Sequence, residues 1–457
     1  MFDKYAKLTC FGGVGSVTGA NFMLEIDGKK YLIDCGLEQG GNEAEKKNYE
    51  PFPFDPKEID SLFVTHAHMD HIGRIPKLIE MGFSGTIYST PATKEISALM
   101  FDDAIKIMMY DYEKFGTRPL YERPSIGRAL SLWKEVDYHM DFEVNNLKIN
   151  FKNSGHILGS SMISIKHKDG NNTIMFTGDL GNSPAPLLID TEEIGDVQYL
   201  VMESVYGDRN HDSKDERDRK LQATIKKTLD RGGTVLIPAF SLERTQVILY
   251  ELNNMVEDGR IPSVPVYLDS PLAIKVTGVY KRYKKEFNEL IQREIKGGDD
   301  IFDFPRLTLV KDVSDSAVIH SIPGPKIIIA GSGMSAGGRI QSHEKVYLSD
   351  PQNSLIFVGY QAVGTLGRLL LEGLKRIKIE DLYVNVKCEI ISILGYSSHK
   401  DSDGLVSFVG TGKKTLKKVF VAMGEPKSSL YLSQRIRDEY DINALYPEKG
   451  KVYDVEL

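Results

Sequence analysis

The sequence predicts an α/β protein in which one domain is interrupted by another. Three observations carry this. Up to Met202 the chain reads mostly as short strands separated by glycine-bearing turns. After Tyr206 strands alternate with helical stretches. Beyond residue 395 short strands return, which points to the first domain being completed by the end of the chain.

Each element has a local reason. Strands are expected at residues 7–11, 21–26 and 30–34, the last two joined by Asp27-Gly28, a strong hairpin signal between β-rich runs. Strands at 61–65 and 86–89 follow, and then a helix at 91–115. Residues 147–152, 162–167, 173–177 and 197–202 continue the strands, separated by NSGHILGSS and KDGNN. The charged run GDRNHDSKDERDRK marks a crossing point or helix entry. Beyond it come strand 234–240 with helix 242–256, strand 264–268 with helix 273–287, and strand 326–330 before GSGMSAGGR. Strand 354–358 then leads into a segment running to Leu369. This alternation predicts a parallel, Rossmann-like sheet. Short strands, clearest at 417–422, are expected for the last stretch.

At 457 residues the chain is too long for one ordinary core, so two or three folding units are expected. A net charge of −7 argues against binding nucleic acid through bulk basicity, though not against a local basic groove. Cys10, Cys35 and Cys388 are odd in number and far apart, without zinc-finger spacing or a disulfide framework, which points to a reducing compartment. The beginning, MFDKYAKLTCFGG, lacks the apolar core of a signal peptide, and no apolar run approaches the ~20 residues that span a bilayer. A cytoplasmic protein without a membrane partner is expected.

The stretch FVTHAHMDHIG carries the chemistry. It places His66, His68, Asp70 and His71 within six positions of a chain with only ten histidines. Such side chains add little to a core and are costly to bury unpaired, so a cation is the expected partner. If the strand before them stays extended, His66 and His68 project to the same side, with Asp70 and His71 curling back toward a second position. A structural zinc would more often use cysteines, and none cluster here. Downstream, His156 sits among small residues in NSGHILGSS and Asp179 follows a strand in FTGDLG. Each is weak alone; together with the first motif they suit a two-metal centre, because one carboxylate can bridge two divalent ions.

Asp34 after a strand, HxHxDH, a later histidine and a later aspartate resemble the metallo-β-lactamase superfamily. The resemblance implies an αβ/βα sandwich with the site at one edge. One metal would take His66, His68 and His156, the other Asp70 and His71, with Asp179 bridging; Asp34 would support the ligand loop. Four later segments are similar to the β-CASP branch, the nucleases related to the mRNA 3′-end-processing endonuclease and bacterial ribonuclease J. They are VMESVYGDR, the pair GSGMSAGGR and GYQAVGTLGR, and YSSHKD. The implied organisation is a metallo-β-lactamase domain over 1–207 and 395–457 with a β-CASP insertion over 208–394. Glu203 and His399 would form a carboxylate–imidazole pair beside the metals, with His399 protonating the departing 3′ oxygen and Asp70 orienting the attacking water. Hydrolysis would leave a 5′-phosphate and a 3′-hydroxyl. The implied cofactors are two zinc ions, manganese being an alternative. The implied partner is single-stranded RNA; DNA and a homodimer are both compatible with the branch.

The glycines of GSGMSAGGR lie between a strand and a helical stretch, so backbone N–H groups can face a phosphate, or the loop is a tight turn for close packing. Ser332, Gly333 and Ser335, with Arg339 and Arg368, are the candidate phosphate contacts. The runs KRYKK (281–285) and KKTLKK (413–418) either track a phosphate backbone or are solvated helix faces. His139, His167, His211, His320 and His343 carry no interpretable spacing. One departure stands out. Met423, in VFVAMGEP, occupies the place where the family sets a further histidine ligand, and a thioether suits a zinc or manganese site poorly. The second metal site is therefore expected to be the weaker.

Overall fold

The computed structural model describes residues 5–359, 361, 362 and 364–457. It divides into two compact units, one formed by Met1–Asn210 with His399–Leu457, the other by His211–Ser398.

Among the described residues, the first unit is built on two seven-stranded sheets. In one, the order is Val452–Glu456, Tyr5–Cys10, Phe22–Ile26, Lys29–Ile33, Ile59–Phe63, Thr86–Ser89, Trp133–Glu135. Its last four strands run parallel. Asp27 and Gly28 both take positive φ, 52° and 71°, as a two-residue hairpin turn demands. In the other sheet, Asn443–Leu445, Lys418–Val421, Tyr199–Met202 and Thr173–Phe176 are parallel, and Ser161–His167, Leu147–Asn153 and Phe142–Val144 continue antiparallel. Leu8, Phe22, Leu24 and Phe63 from the first sheet pack with Ile149, Phe151, Ile163 and Phe176 from the second in one buried cluster, so the sheets face each other as a sandwich. Helix Pro91–Phe115 forms where expected, capped by the Thr90 hydroxyl and stopped by Gly116 at φ 73°.

The end of this unit corrects the expectation of short strands alone. Helices Ser402–Thr411 and Pro426–Tyr440 cover the outer face of the second sheet, where Leu405, Val409, Leu432 and Ile436 pack against Leu200, Val419 and Val421.

The second unit holds a six-stranded sheet, all parallel, ordered Leu307–Leu309, Val266–Asp269, Lys326–Ala330, Thr234–Pro238, Ser354–Phe357, Glu389–Ser392. Its central strands Thr234–Pro238 and Lys326–Ala330 are buried at every position, as a sheet covered on both faces requires. The charged run after Tyr206 enters helix Lys214–Asp230 through a serine N-cap, Ser213 Oγ accepting from Glu216 N. The helix expected to reach residue 287 stops at Arg282, because a 3₁₀ turn at Lys284–Glu286 and the Asn288 cap of the next helix redirect the chain.

Burial of Glu344 is expected to make the stability of this unit depend on pH. Glu344 is fully buried; Ser335 Oγ donates to its Oε1, and its Oε2 has no hydrogen-bond partner among the described residues. Burial pushes the carboxyl up from its ordinary 4.5 to about 8. The folded state therefore holds this proton where the unfolded chain has released it. The contribution is full below pH 4.5 and lost as pH rises toward about 8. Thermal unfolding of the full chain should show a steeper fall in Tm between pH 5 and 8 for wild type than for Glu344→Gln; parallel curves would contradict the assignment.

Candidate metal centre

The ends of parallel strands supply this site. Asp34 follows Lys29–Ile33, His66 and His68 follow Ile59–Phe63, Asp179 follows Thr173–Phe176, Glu203 follows Tyr199–Met202 and Met423 follows Lys418–Val421. Side chains from both sheets thus meet at the carboxyl ends of their strands, where open α/β sheets place ligands.

The HxHxDH segment is folded tightly. After the strand ends at Phe63 the chain reaches His68, whose backbone is extended and which opens the short helix Met69–Ile72, accepting at its carbonyl from His71 N and Ile72 N. Three backbone bonds anchor that turn: Ala20 N to Asp70 O, Cys35 N to His71 O and Leu37 N to Met69 O. Gly36 is required here, since a Cβ would lie 1.5 Å from the Asp70 carbonyl oxygen. The His156 loop is held by Ser160 Oγ, which accepts from His156 N and Ile157 N, and Ser161 N donates to Thr65 O.

Four atoms converge at one position. His66 Nε2 and His156 Nε2 lie 3.1 and 3.2 Å from His68 Nδ1, and each lies 3.4 Å from Asp179 Oδ2. A tetrahedral ion at 2.0–2.1 Å from its ligands has ligand–ligand edges of about 3.3 Å, so this donor set fits a zinc-like cation. Beside it, His71 Nε2 stands 3.3 Å from Asp179 Oδ1 and 3.9 Å from Asp70 Oδ2. Among the described residues neither His71 Nε2 nor Asp179 Oδ1, both buried, has a hydrogen-bond partner, and the two atoms face the same space. A second cation there would satisfy both. Among the described residues three candidate clusters share Asp179: these two, with one oxygen turned to each, and Asp179 with Glu203 and His399.

Asp34 fixes the orientation of His71. The carboxylate can only accept, so His71 Nδ1–H donates to Asp34 Oδ2 at 2.7 Å and Nε2 is left for a ligand. Asp34 in turn accepts from Thr65 N at 2.8 Å and Thr65 Oγ at 2.7 Å. Thr65 is a supporting residue that sequence reasoning missed; its position just before the first histidine was the available signal.

The electrostatics suit cation binding. Burial, reinforced by His66, holds His68 well below the usual histidine range; burial and then His399 do the same for His156. Burial alone would raise Asp179, but His71, His399 and His66 hold its carboxyl well below the usual range. Burial opposes charge on His71, yet the carboxylates of Asp179 and Asp34 outweigh it and raise this imidazole. A cation arriving at Nε2 would displace that proton. Burial raises Asp70, opposed mainly by His71.

Glu203 and His399 meet as the sequence suggested, with His399 Nδ1 at 3.1 and 3.2 Å from the two Glu203 oxygens. Glu203 is fully buried and also accepts from Leu180 N and Val205 N. His399 pairs across a β-bridge with Gly181, which brings its Nε2 to 4.0 Å from Asp179 Oδ2. Burial works against protonation of His399, but Glu203 and then Asp179 raise its pKa to about 9.

Met423 lies with the core rather than the ligands. It is 2% exposed, at φ 44°, among Phe22, Phe176 and Ala422. Its Sδ occupies space that a Cβ on Gly13 would need, 2.3 Å away. It also borders a small cavity lined by Asp34, Thr65, His71 and Glu203.

The candidate phosphate contacts lie in the second unit. Ser335 is fully buried against Glu344. Arg339 donates to Asp269 Oδ1 at 2.5 Å and to the carbonyls of Val310 and Lys311. Ser332 Oγ accepts from Ala336 N, and Gly333 O accepts from Gln361 Nε2. Arg368 pairs with Glu372 at 2.7 Å on an exposed helix face. Tyr360 and Val363 of GYQAVGTLGR lie outside the described residues.

Comparison with known proteins agrees with this geometry. A metallo-beta-lactamase superfamily model matches residues 16–239 and a Beta-Casp domain model residues 245–370. A model described as a Zn-dependent metallo-hydrolase RNA specificity domain matches residues 383–447. Ribonuclease TTHA0252 of Thermus thermophilus is 36% identical over 403 residues, covering 88% of this chain and 90% of that protein. Transcription termination factor FttA of Methanosarcina mazei is 31% identical over 447 residues, 95% of this chain and 69% of that protein. An RNase J-like protein of Methanocaldococcus jannaschii is 30% identical over 449 residues, 97% of this chain and 98% of that protein. A crystal structure of a protein of unknown function from Enterococcus faecalis V583 matches with a TM-score of 0.57 at 12% identity, covering 99% of this chain and 100% of that one, which speaks to fold alone. The chain belongs to the metallo-β-lactamase superfamily, in its β-CASP branch, and is a metal-dependent phosphodiesterase.

Proposed function

We propose that the protein is a ribonuclease that cleaves single-stranded RNA at a two-cation centre, in RNA processing or decay. The observation that carries this reading is Asp179, whose two oxygens face two separate donor clusters beside the Glu203–His399 pair. The RNA specificity model and the relative described as a ribonuclease support RNA as the polymer. His66, His68, His156 and Asp179 would hold one cation, and Asp70, His71 and Asp179 the other. When bound, such ions neutralise charge on a phosphoryl group and lower the pKa of water. Zinc suits the nitrogen-rich first position, and manganese is an alternative at the oxygen-richer second.

The protein groups then have separate tasks. Asp34 keeps His71 Nε2 pointed at the site. Asp70 orients the attacking water. Glu203 accepts from His399 Nδ1–H, so the proton to be given away sits on Nε2, on the side of Asp179. There it protonates the departing 3′ oxygen. Ser332, Gly333 and Arg368 are proposed to contact strand phosphates, whereas Ser335 and Arg339 are proposed to hold their loop through Glu344 and Asp269.

End-labelled single-stranded RNA, matched DNA and a His68→Ala control test the reading. Cation-dependent cleavage of RNA, lost in the variant, is expected. A cation-loaded protein that leaves RNA intact would sink it, and preference for DNA would move the substrate assignment to that polymer.

The thioether of Met423 leaves the second position with three protein ligands against four at the first. Equilibrium dialysis is expected to show one tightly held cation and a second that washes off. Met423→His should tighten the second by no less than the roughly 10- to 100-fold that a residue merely orienting a ligand is worth. Two equally tight sites in the wild type would contradict this.

A further inference from the structure

Lys400, the residue after His399, poses a problem that the site described above does not solve. It is only 7% exposed, and its stem packs over Gly404 in the first turn of helix Ser402–Thr411. Its backbone N–H donates to Leu180 O, which fixes the chain beside the Asp179 loop. Its ammonium makes one hydrogen bond, to Ser183 Oγ at 2.8 Å. Asp190, Glu203 and Asp401 are near enough to act on it through space, but among the described residues no carboxylate lies within 4.0 Å of Nζ. A buried ammonium with one neutral partner is costly to hold. Consistent with that cost, burial lowers the Lys400 pKa.

The chemistry of the pair points outward. An ammonium can only donate, so Ser183 Oγ is the acceptor and its own proton is directed elsewhere. Ser183 lies on an exposed loop, and none of the described residues accepts that proton. A hydroxyl polarised from behind by a cation and open to solvent in front is a charge-assisted donor toward an anion.

We infer that Ser183 and Lys400 form a seat for a backbone phosphate of the bound strand, adjoining the position where His399 acts. The inference rests on the ribonuclease reading, which supplies the phosphodiester. The seat holds the strand; it takes no part in bond cleavage.

The test is binding of a fluorescein-labelled uridylate decamer to the full chain in EDTA, followed by anisotropy over a series of salt concentrations. Lys400→Met is expected to weaken binding about tenfold. It should also reduce the magnitude of the log–log salt slope by about 0.7, the single-strand value for one phosphate contact. Ser183→Ala should lose about threefold. The double variant should lose less than the product of the two single losses, because hydroxyl and ammonium act on one phosphate through one hydrogen-bond chain. Lys400→Met should melt no lower than wild type, since an unpaired buried charge does not stabilise the free protein. Wild-type binding with unchanged affinity and slope in Lys400→Met would overturn the seat and leave the ribonuclease reading standing. Should Lys400→Met melt early, unchanged affinity in Ser183→Ala overturns the seat by itself. Absence of RNA binding by the wild type in EDTA would overturn the seat, and cleavage by the cation-loaded protein then decides the ribonuclease reading separately.

Discussion

Asp179→Ala is expected to abolish RNA hydrolysis and to empty both cation positions together. One carboxylate faces His66 and His156 through Oδ2 and His71 through Oδ1. Among the described residues, no other residue belongs to both of these clusters. Removing it leaves three imidazoles at one position and the Asp70–His71 pair at the other, with the charge that offset the cations gone. In the proposed two-cation mechanism the rate depends on both ions, so it should fall by more than about a thousandfold. Metal analysis by mass spectrometry separates this from a mere rate defect: retention of a full complement of cations by the variant would contradict a bridging role.

His399→Ala is the complementary case, a large loss of rate with the cations in place. General acid catalysis is worth roughly 10²- to 10⁴-fold, and a loss in that range is expected. The histidine is not a proposed ligand of either cation, although its ring packs 4.5 Å from that of His156 and its Nε2 lies 4.0 Å from Asp179, so both cations should be retained. The pH profile adds a signature. Glu203 and Asp179, against burial, raise His399 to about 9, so its proton is present at neutral pH and lost as pH rises through that value. Wild-type activity should therefore fall on the alkaline side, and cations bound beside Asp179 displace that limb downward by repelling the imidazolium. The limb should vanish in His399→Ala. A variant with the same alkaline limb would assign the acid to another group.

The parts of this site that were legible in the sequence are those brought together by local chain geometry. His66, His68, Asp70 and His71 lie within one extended segment and one short helix, and their spacing alone suggested two donor positions. His156, Asp179, Glu203 and His399 arrive from the ends of different strands, and only the family resemblance linked them. The Asp34–His71 bond spans 37 residues and depends on which strands are neighbours, which no local pattern encodes. Lys400 was invisible for a similar reason: its burial and its single partner, 217 residues away, are properties of the fold.

The missed helices have a different cause. Helix Pro426–Tyr440 buries Ser428, Ser429 and Ser433 beside Leu432 and Ile436, so three of its five buried residues are polar. The periodicity that marks an amphipathic helix is thereby erased. Helix Ser402–Thr411 contains two glycines and several β-branched or aromatic residues, a poor helix former held by packing on the sheet. In the second unit, by contrast, fully buried parallel strands left continuous apolar runs, and strand Lys326–Ala330 formed where the sequence placed it. The glycine loop after it was correctly located between strand and helix, but its side chains were committed in ways only packing decides: Ser335 to Glu344 and Arg339 to Asp269.

The central claim is that one aspartate joins two cation positions, and anomalous diffraction from a crystal soaked in excess zinc tests it most directly. Two peaks on either side of Asp179, about 3.5–4 Å apart, are the expected result, the one among His66, His68 and His156 being the stronger. A single peak at the three histidines, with density between Asp70 and His71 empty even at saturating zinc, would contradict it.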